Sequence, residues 1–465
     1  MLDIHKEFEA PNNGKFEVKF SRKSVVKAQN PSPNNPFSVP LSNLDLLSGR
    51  FPVTYLYFYG KPNLHSFKTF VEALKSSLAQ VLNYYYPFAG QIVQNPKSGE
   101  PEIICDNNGA LLIEAHVNIP LKNLDFYNLN ETLQEKIVSI QPDFPMQIQV
   151  TEYTCGGISI AFSFDHALGD ASSFAKFITS WCEISQNKPM LCMPDHTRHL
   201  PPRSPPKYEP SLDQTFIKCT EEEIMNLPIS HISLKRLYHI NASSINMLQR
   251  LASVGNNKRT KIEAFSAYVW KIMVGTIDQR FEKCKMGWLV DGRERMMSSR
   301  GTNNNNKNRN NSMSNYIGNV LSLAFGEARI QELKEASISE IGGIVNEAIA
   351  KVNNEAHFLD LIDWVECHRP GLMLAKTVLG QDGPGLVVSS GRRFPVTEVD
   401  FGFGSPLLGT VYTSIGKSGV GYMNQRASAK GDGSWTLSAI LWPKLAAALE
   451  DDSIFQPMSA SHLHL

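Results

Sequence analysis

Ile158-Ser159-Ile160-Ala161-Phe162-Ser163-Phe164-Asp165-His166-Ala167-Leu168-Gly169-Asp170 carries the reading of the fold. Apolar residues alternate with small or polar ones up to Phe164, the period of a half-buried strand. Residues 146–150 alternate in the same way. Cys155-Gly156-Gly157 supplies a turn between the two runs, so the spacing predicts a hairpin that ends at His166. Beyond Asp170 the period changes. Phe174, Phe177, Ile178 and Trp181 stand at i, i+3, i+4 and i+7, which predicts a helix with an aromatic inner face, capped by Asp170 or Ser172. His166 and Asp170 therefore flank a strand-to-helix junction that substrate can reach. Histidine titrates near neutrality, so a neutral imidazole there can take a proton from an attacking alcohol. Asp170 can orient the ring, or turn away and fix the loop through an arginine.

Working outward, residues 66–82 read as an amphipathic helix. Phe67, Phe70, Val71, Leu74, Leu78 and Val81 share a face, and Ser66 caps its start. Residues 188–210 hold seven prolines, at 189, 194, 201, 202, 205, 206 and 210. Proline removes a donor and favours extended chain, so this stretch predicts a linker. Helical patterns return at 221–227, 245–254 and 262–274. Residues 302–311 are dominated by asparagine and read as a polar surface loop. Trp435, Leu437, Ala439 and Leu441 alternate as a strand, and Pro443 opens a short helix to Leu449. The pattern predicts two α/β domains, residues 1–187 and 216–465, joined by a proline-rich crossover at 188–215.

Length and charge narrow the function. The chain has 465 residues, enough for two cores, with 45 basic and 45 acidic residues. Without a polybasic run, nucleic acid and anionic membranes are poor partners. Met1-Leu2-Asp3-Ile4-His5-Lys6 has no apolar core, so no secretion signal is expected, and no run of about 18 apolar residues predicts a membrane span. The seven cysteines are odd in number and scattered, which argues for a reducing, cytoplasmic compartment. Asn130-Glu131-Thr132, Asn241-Ala242-Ser243 and Asn310-Asn311-Ser312 match the glycosylation pattern, by chance on this reading.

Other motifs fail on inspection. Asp400-Phe401-Gly402-Phe403-Gly404 contains an Asp-Phe-Gly, yet no kinase catalytic loop or β3 lysine accompanies it. A tight turn with its carboxylate paired to a base is the better account. Residues 409–418 resemble a phosphate loop, but Val411 stands where its first glycine is needed. No Gly-x-Ser-x-Gly elbow exists. Cys192, Asp195, His196 and His199 crowd one segment without metal-ligand spacing, so a solvated linker is expected and no metal. Tyr84-Tyr85-Tyr86 lacks a basic track and reads as core and turn.

Taken together, His166-Ala-Leu-Gly-Asp170 and Asp400-Phe-Gly-Phe-Gly404 make the chain resemble the BAHD family of plant acyl-CoA-dependent acyltransferases, with their His-x-x-x-Asp and Asp-Phe-Gly-Trp-Gly motifs. Leu41-Ser42-Asn43-Leu44-Asp45, Tyr86-Pro87-Phe88-Ala89-Gly90, Thr260-Lys261-Ile262-Glu263-Ala264-Phe265 and Ala267-Tyr268-Val269-Trp270 also resemble it. So do Asp291-Gly292-Arg293-Glu294-Arg295 and Tyr316-Ile317-Gly318-Asn319, and all occur in family order. Ala171 replaces a usual glycine and Phe403 a usual tryptophan. The regions 36–45 and 387–395 look most like members that acetylate phenylpropanoid alcohols such as coniferyl alcohol.

The resemblance implies two similar mixed-sheet domains of the chloramphenicol-acetyltransferase type with a channel between them. Acyl-CoA is implied as co-substrate, with no tightly bound cofactor, and His166 as base for an alcohol of plant specialised metabolism. Asp170 is implied to pair with an arginine, and Asp400, beside Gly402 and Gly404, with Arg293 or Arg295. Lys258, Arg259 and Thr260, just before a helix start, are candidates for the CoA phosphates. A monomer acting through a ternary complex is expected. An amine acceptor, or a non-catalytic relative that works by binding a partner, are the alternatives.

Overall fold

The computed structural model describes residues 16–31, 36–63, 66–225, 233–255, 257–296, 313–380, 383–413 and 420–465. The asparagine-rich stretch at 302–311, the Asn310-Asn311-Ser312 match, the first residues and the second half of 409–418 lie outside this set. Two large sheets organise the chain. In the first, the strands run in the order Val18–Val26, Ala110–Val117, Met146–Tyr153, Ile158–Asp165, Pro52–Tyr59 and Leu408–Thr413. All pairs are antiparallel except Ala110–Val117 with Met146–Tyr153. The predicted hairpin is present, with Met146 opposite Phe164 and Glu152 opposite Ile158.

The second sheet runs Leu321–Arg329, Lys283–Asp291, Gly385–Ser390, Gly421–Ala427, Trp435–Leu441, Leu234–Ile240 and Gln456–Pro457. It is also mixed, with Gly385–Ser390 parallel to both of its neighbours. Helices Ala242–Ala252, Lys261–Val274 and Ile338–Val352 pack together above it. The sheets do not separate at residue 216. Strand Leu408–Thr413 belongs to the later half of the chain, yet it pairs with Pro52–Tyr59 in the first sheet. The return covers the edge of Pro52–Tyr59, whose unpaired amides and carbonyls would otherwise face solvent.

Helix Phe67–Val81 starts at a Ser66 cap, and helix Ala171–Ser185 starts at Asp170 rather than Ser172. The two pack side by side on the first sheet. The aromatic face forms as the period predicts. Phe174 stacks on Phe164 with centroids 4.1 Å apart and planes 8° apart, and Trp181 meets Phe162 edge-on at 5.7 Å. Phe174, Phe177 and Trp181 are fully buried, each such burial contributing roughly 1.5–3 kcal/mol. That packing fixes the angle at which the chain leaves His166 and enters the helix.

The crossover is extended as its prolines require, but it is not the solvated linker expected. His196 is buried and its Nε2 lies 3.0 Å from the Tyr84 carbonyl, while Arg198 is buried beneath the His166 turn. Sequence composition reports prolines; it does not report that the residues between them reach across the fold.

Candidate active site

Strand Ile158–Asp165 ends in a single 3₁₀ turn, His166–Leu168. Asp165 accepts the Ala167 amide at 2.9 Å and holds Arg50 at 2.9 Å. The His166 amide donates to the Phe51 carbonyl at 2.9 Å, and the Phe51 ring lies 4.8 Å from the imidazole. Gly169 closes the turn at φ +153°. A Cβ there would meet Ser173 Cβ at 2.6 Å, so only glycine lets the helix start this close. His166 is partly exposed, and of its two ring nitrogens Nδ1 is the buried one, without a hydrogen-bond partner. Burial pushes the imidazole below its ordinary value, against the opposing pull of Asp170, Asp165, its own backbone carbonyl and Asp45. The ring is therefore neutral at pH 7, the form that accepts a proton.

Asp170 faces away from the ring. Its Oδ1 caps the helix through the Ser173 amide at 3.1 Å, and its Oδ2 accepts Arg293 Nη1 at 2.7 Å and the Val320 amide at 3.0 Å. Both side chains are buried. Burial by itself would raise the carboxyl, but the Arg293 charge and these donors hold it below the usual carboxylate range. Arg293 also binds Asp291 at 3.1 Å, Ser173 Oγ at 3.1 Å and the Gly318 carbonyl at 2.8 Å. Of the two roles open to Asp170, the geometry gives it the loop-fixing one.

A second buried pair lies under the same turn, and sequence reasoning missed it. Arg198 donates to the carbonyls of Ala167 at 2.8 Å and Leu168 at 2.5 Å, and stands 3.1 Å from Asp45 Oδ2. Asn319 joins the cluster. Its Nδ2 donates to the His166 carbonyl and to Asp45 Oδ1, both at 2.9 Å, and its amide reaches the same oxygen at 2.7 Å. Asp45 and Asn319 sit in segments that the sequence offered only as resemblances. Arg198 had no local signal, because its partners lie at least 30 residues away.

Asp400 corrects an expectation. It is not the partner of Arg293 or Arg295. Arg293 is committed to Asp170 and Asp291, and Arg295 Nε donates to Asn353 Oδ1 at 2.9 Å. Instead Asp400 Oδ1 gathers the amides of Gly402, Phe403 and Gly404 at 2.7, 3.0 and 2.9 Å. Gly402 and Gly404 have φ of +98° and +109°, which explains both glycines. Gln186, at the end of the helix that Asp170 begins, donates to the Asp400 carbonyl. Phe403 meets Phe70 edge-on at 4.6 Å and Tyr59 at 5.0 Å. Tyr57 and Tyr59 hydroxyls donate to the carbonyls of Pro395 at 2.8 Å and Val399 at 3.0 Å. The motif thus clamps the later half of the chain onto the first sheet.

Lys258, Arg259 and Thr260 stand among the helices over the second sheet. Lys258 is exposed. The Thr260 hydroxyl caps helix Lys261–Val274 in a capping box with Glu263. The Arg259 side chain lies along Gly342 and Gly343, and its Nε is buried without a partner. No contact with the His166 turn is seen for these three among the described residues.

Comparison with known proteins gives concordant findings. The model of the Transferase family matches residues 16–455. Anthranilate N-benzoyltransferase protein 1 of Dianthus caryophyllus is 28% identical over 92% of this chain and 97% of its own length. Omega-hydroxypalmitate O-feruloyl transferase of Arabidopsis thaliana is 27% identical over 73% of this chain and 72% of its own. The crystal structure of vinorine synthase superposes with a TM-score of 0.68 over 96% of this chain and all of its own, at 19% identity. F. graminearum TRI101, complexed with coenzyme A and deoxynivalenol, reaches 0.71 over 90% of this chain and 99% of its own, at 14% identity.

Proposed function

The chain belongs to the BAHD family of acyltransferases, and from that premise we propose that it moves an acyl group from an acyl-CoA thioester to a hydroxyl of a small plant metabolite. His166 Nε2 takes the hydroxyl proton as the oxygen attacks the thioester carbonyl. The tetrahedral adduct collapses, the C–S bond breaks, and the thiolate leaves with the proton that His166 held. The donor is already activated, so no residue forms a covalent intermediate and both substrates bind together. The substrates meet in a channel at the seam between the two sheets, and Lys258 and Arg259 serve the CoA phosphates.

One observation carries this reading. His166 is a neutral, partly exposed imidazole whose backbone is held by buried polar clusters on both sides of its turn. Such a positioned base contributes roughly 10²–10⁴-fold to rate. Seven free thiols fit a reducing cytoplasm, and no helix among the described residues is long and apolar enough to cross a membrane. The test is His166→Asn with release of free thiol as readout. Turnover should fall at least about 100-fold while the protein stays folded. A variant that keeps near-native turnover removes His166 from the chemistry.

A second reading has a specific finding behind it. Relatives at 28% identity are named anthranilate N-benzoyltransferases, so an amine takes the place of the hydroxyl and His166 accepts its proton after attack. Competition between matched alcohol and amine acceptors separates the two.

A further inference from the structure

His462 stands where a capping box ordinarily has a glutamate or a glutamine. It belongs to the 3₁₀ turn Ala460–Leu463, whose start at Ser459 is built as such a box. In the usual form the fourth residue returns a side-chain oxygen to the backbone amide of the first. Here the returning atom is an imidazole nitrogen. The Ser459 amide donates to His462 Nδ1 at 3.1 Å, and Ser459 Oγ lies 2.8 Å from the same atom. An amide N–H can only donate, so Nδ1 presents its lone pair and the ring is neutral, with its proton on Nε2. Nε2 faces Gln456 Oε1 at 3.4 Å.

The turn secures residues 456–465 against both sheets. Pro457 and Gln456 pair with Tyr238 and His239 on the edge of strand Leu234–Ile240, and the Met458 amide donates to the Leu237 carbonyl at 2.9 Å. Met458 and Leu463 are buried in one apolar cluster with Leu237 of that strand and with Leu408 and Tyr412 of the strand that joins the first sheet. The surroundings of His462 disfavour a proton. The His239 ring lies 4.7 Å away with planes 31° apart. Lys430 and Asp432, on the connection between strands Gly421–Ala427 and Trp435–Leu441, are the charged groups that act on the two rings. His464, two residues on, is exposed. Burial, then His239 and Lys430, push His462 down to about 4. Burial lowers His239 too, and Lys430 adds to it, while Asn241 and Asp432 pull the other way.

We infer that residues 456–465 form a proton-sensitive latch. A proton on His462 Nδ1 sets one N–H against another. The Ser459 hydroxyl can turn and accept it, but the Ser459 amide cannot. The amide is expelled, the turn opens, and the segment lifts from the strand edge while the rest of the fold stands. The released ring titrates at its ordinary 6.5, so the latch is fully closed above that pH and weakens as pH falls toward 4. Between pH 7 and pH 5, His462 alone shifts the balance toward the open form roughly 20-fold. This inference is independent of the acyl-transfer reading.

Hydrogen–deuterium exchange of the intact protein reads the latch directly. After correction for the intrinsic pH dependence of exchange, residues 456–465 should exchange at least about tenfold faster at pH 5 than at pH 7, while helix Lys261–Val274 changes less than about twofold. His462→Gln restores a usual acceptor of the box without a titrating group, so its exchange should be slow at both values. His462→Ala should be fast at both. No acceleration in the wild type, acceleration that persists in His462→Gln, or a parallel rise in helix Lys261–Val274 overturns the latch. Should His462→Gln fail to fold, proton NMR titration of the wild-type ring decides: a midpoint at or above 6.5 means that the closed turn holds the protonated ring as well, and also overturns it.

Discussion

Arg198 and Asp45 form an ion pair at 3.1 Å in which neither side chain is exposed, and the same guanidinium caps the two carbonyls that follow His166. A residue from the proline-rich crossover therefore fixes the turn that presents the imidazole. Replacing one member leaves the other charge buried and alone, which costs on the order of 3–5 kcal/mol. Arg198→Met and Asp45→Asn should each lower the urea midpoint by a corresponding amount. Arg198→Met with Asp45→Asn should recover part of it, because no charge is left unpaired and the amide oxygen at 45 can still accept from Asn319. A double variant no more stable than the singles would show that the carbonyl caps, not the pair, hold the turn.

Asp170→Asn should behave as a folding variant first. It removes the fully buried partner of Arg293, which keeps only the half-buried Asp291, so a loss of about 1–3 kcal/mol is expected in chemical denaturation. Asp170 also pulls the His166 pKa upward. In whatever fraction folds, the acid limb of the rate profile should move to lower pH.

The wild-type pH profile follows from the same environment. Burial lowers His166 from 6.5, so the base is neutral down to a pH below that value. kcat/KM should be flat near neutrality and fall on an acid limb with its midpoint under 6.5. A midpoint above 6.5 would mean that the protonated ring is the stabilised form.

Folding stability should share that sign. His196 and His357 are lowered by burial to about 3 and about 4. Each takes up a proton in the unfolded chain before it does so in the fold, so stability is full above 6.5 and declines as pH falls toward 4. The thermal midpoint, followed from pH 8 to 4, checks this.

Asp400 offers a clean discrimination. The carboxylate serves as an acceptor for three amides, so Asp400→Asn keeps that function and should cost under about 1 kcal/mol, while Asp400→Ala should cost about 1–3 kcal/mol. An ion-pair role would make the two variants equally damaging. Gly404 has open space around a virtual Cβ, yet Gly404→Ala should still cost about 1–3 kcal/mol from its positive φ.

Local period made the frame of the site legible. The alternation before Asp165 and the 3.6-residue spacing after Asp170 placed His166 at a junction, and burial of Phe174 and Trp181 realised it. What stayed hidden was whatever depends on distant partners. Arg293 lies 123 residues from Asp170 and had to be drawn from a resemblance, which then also assigned it to Asp400. Arg198 lay among prolines and polar residues that read as solvated chain.

Strand Leu408–Thr413 has a consequence for how the protein is made. A nascent chain that has emerged only as far as the crossover leaves Pro52–Tyr59, with its apolar side chains, as a raw margin. The margin stays open until residue 413 has been made and has cleared the ribosome. The amino-terminal half expressed by itself should therefore be prone to clump, and a separately supplied fragment containing 385–465 should rescue it by donating the missing strand.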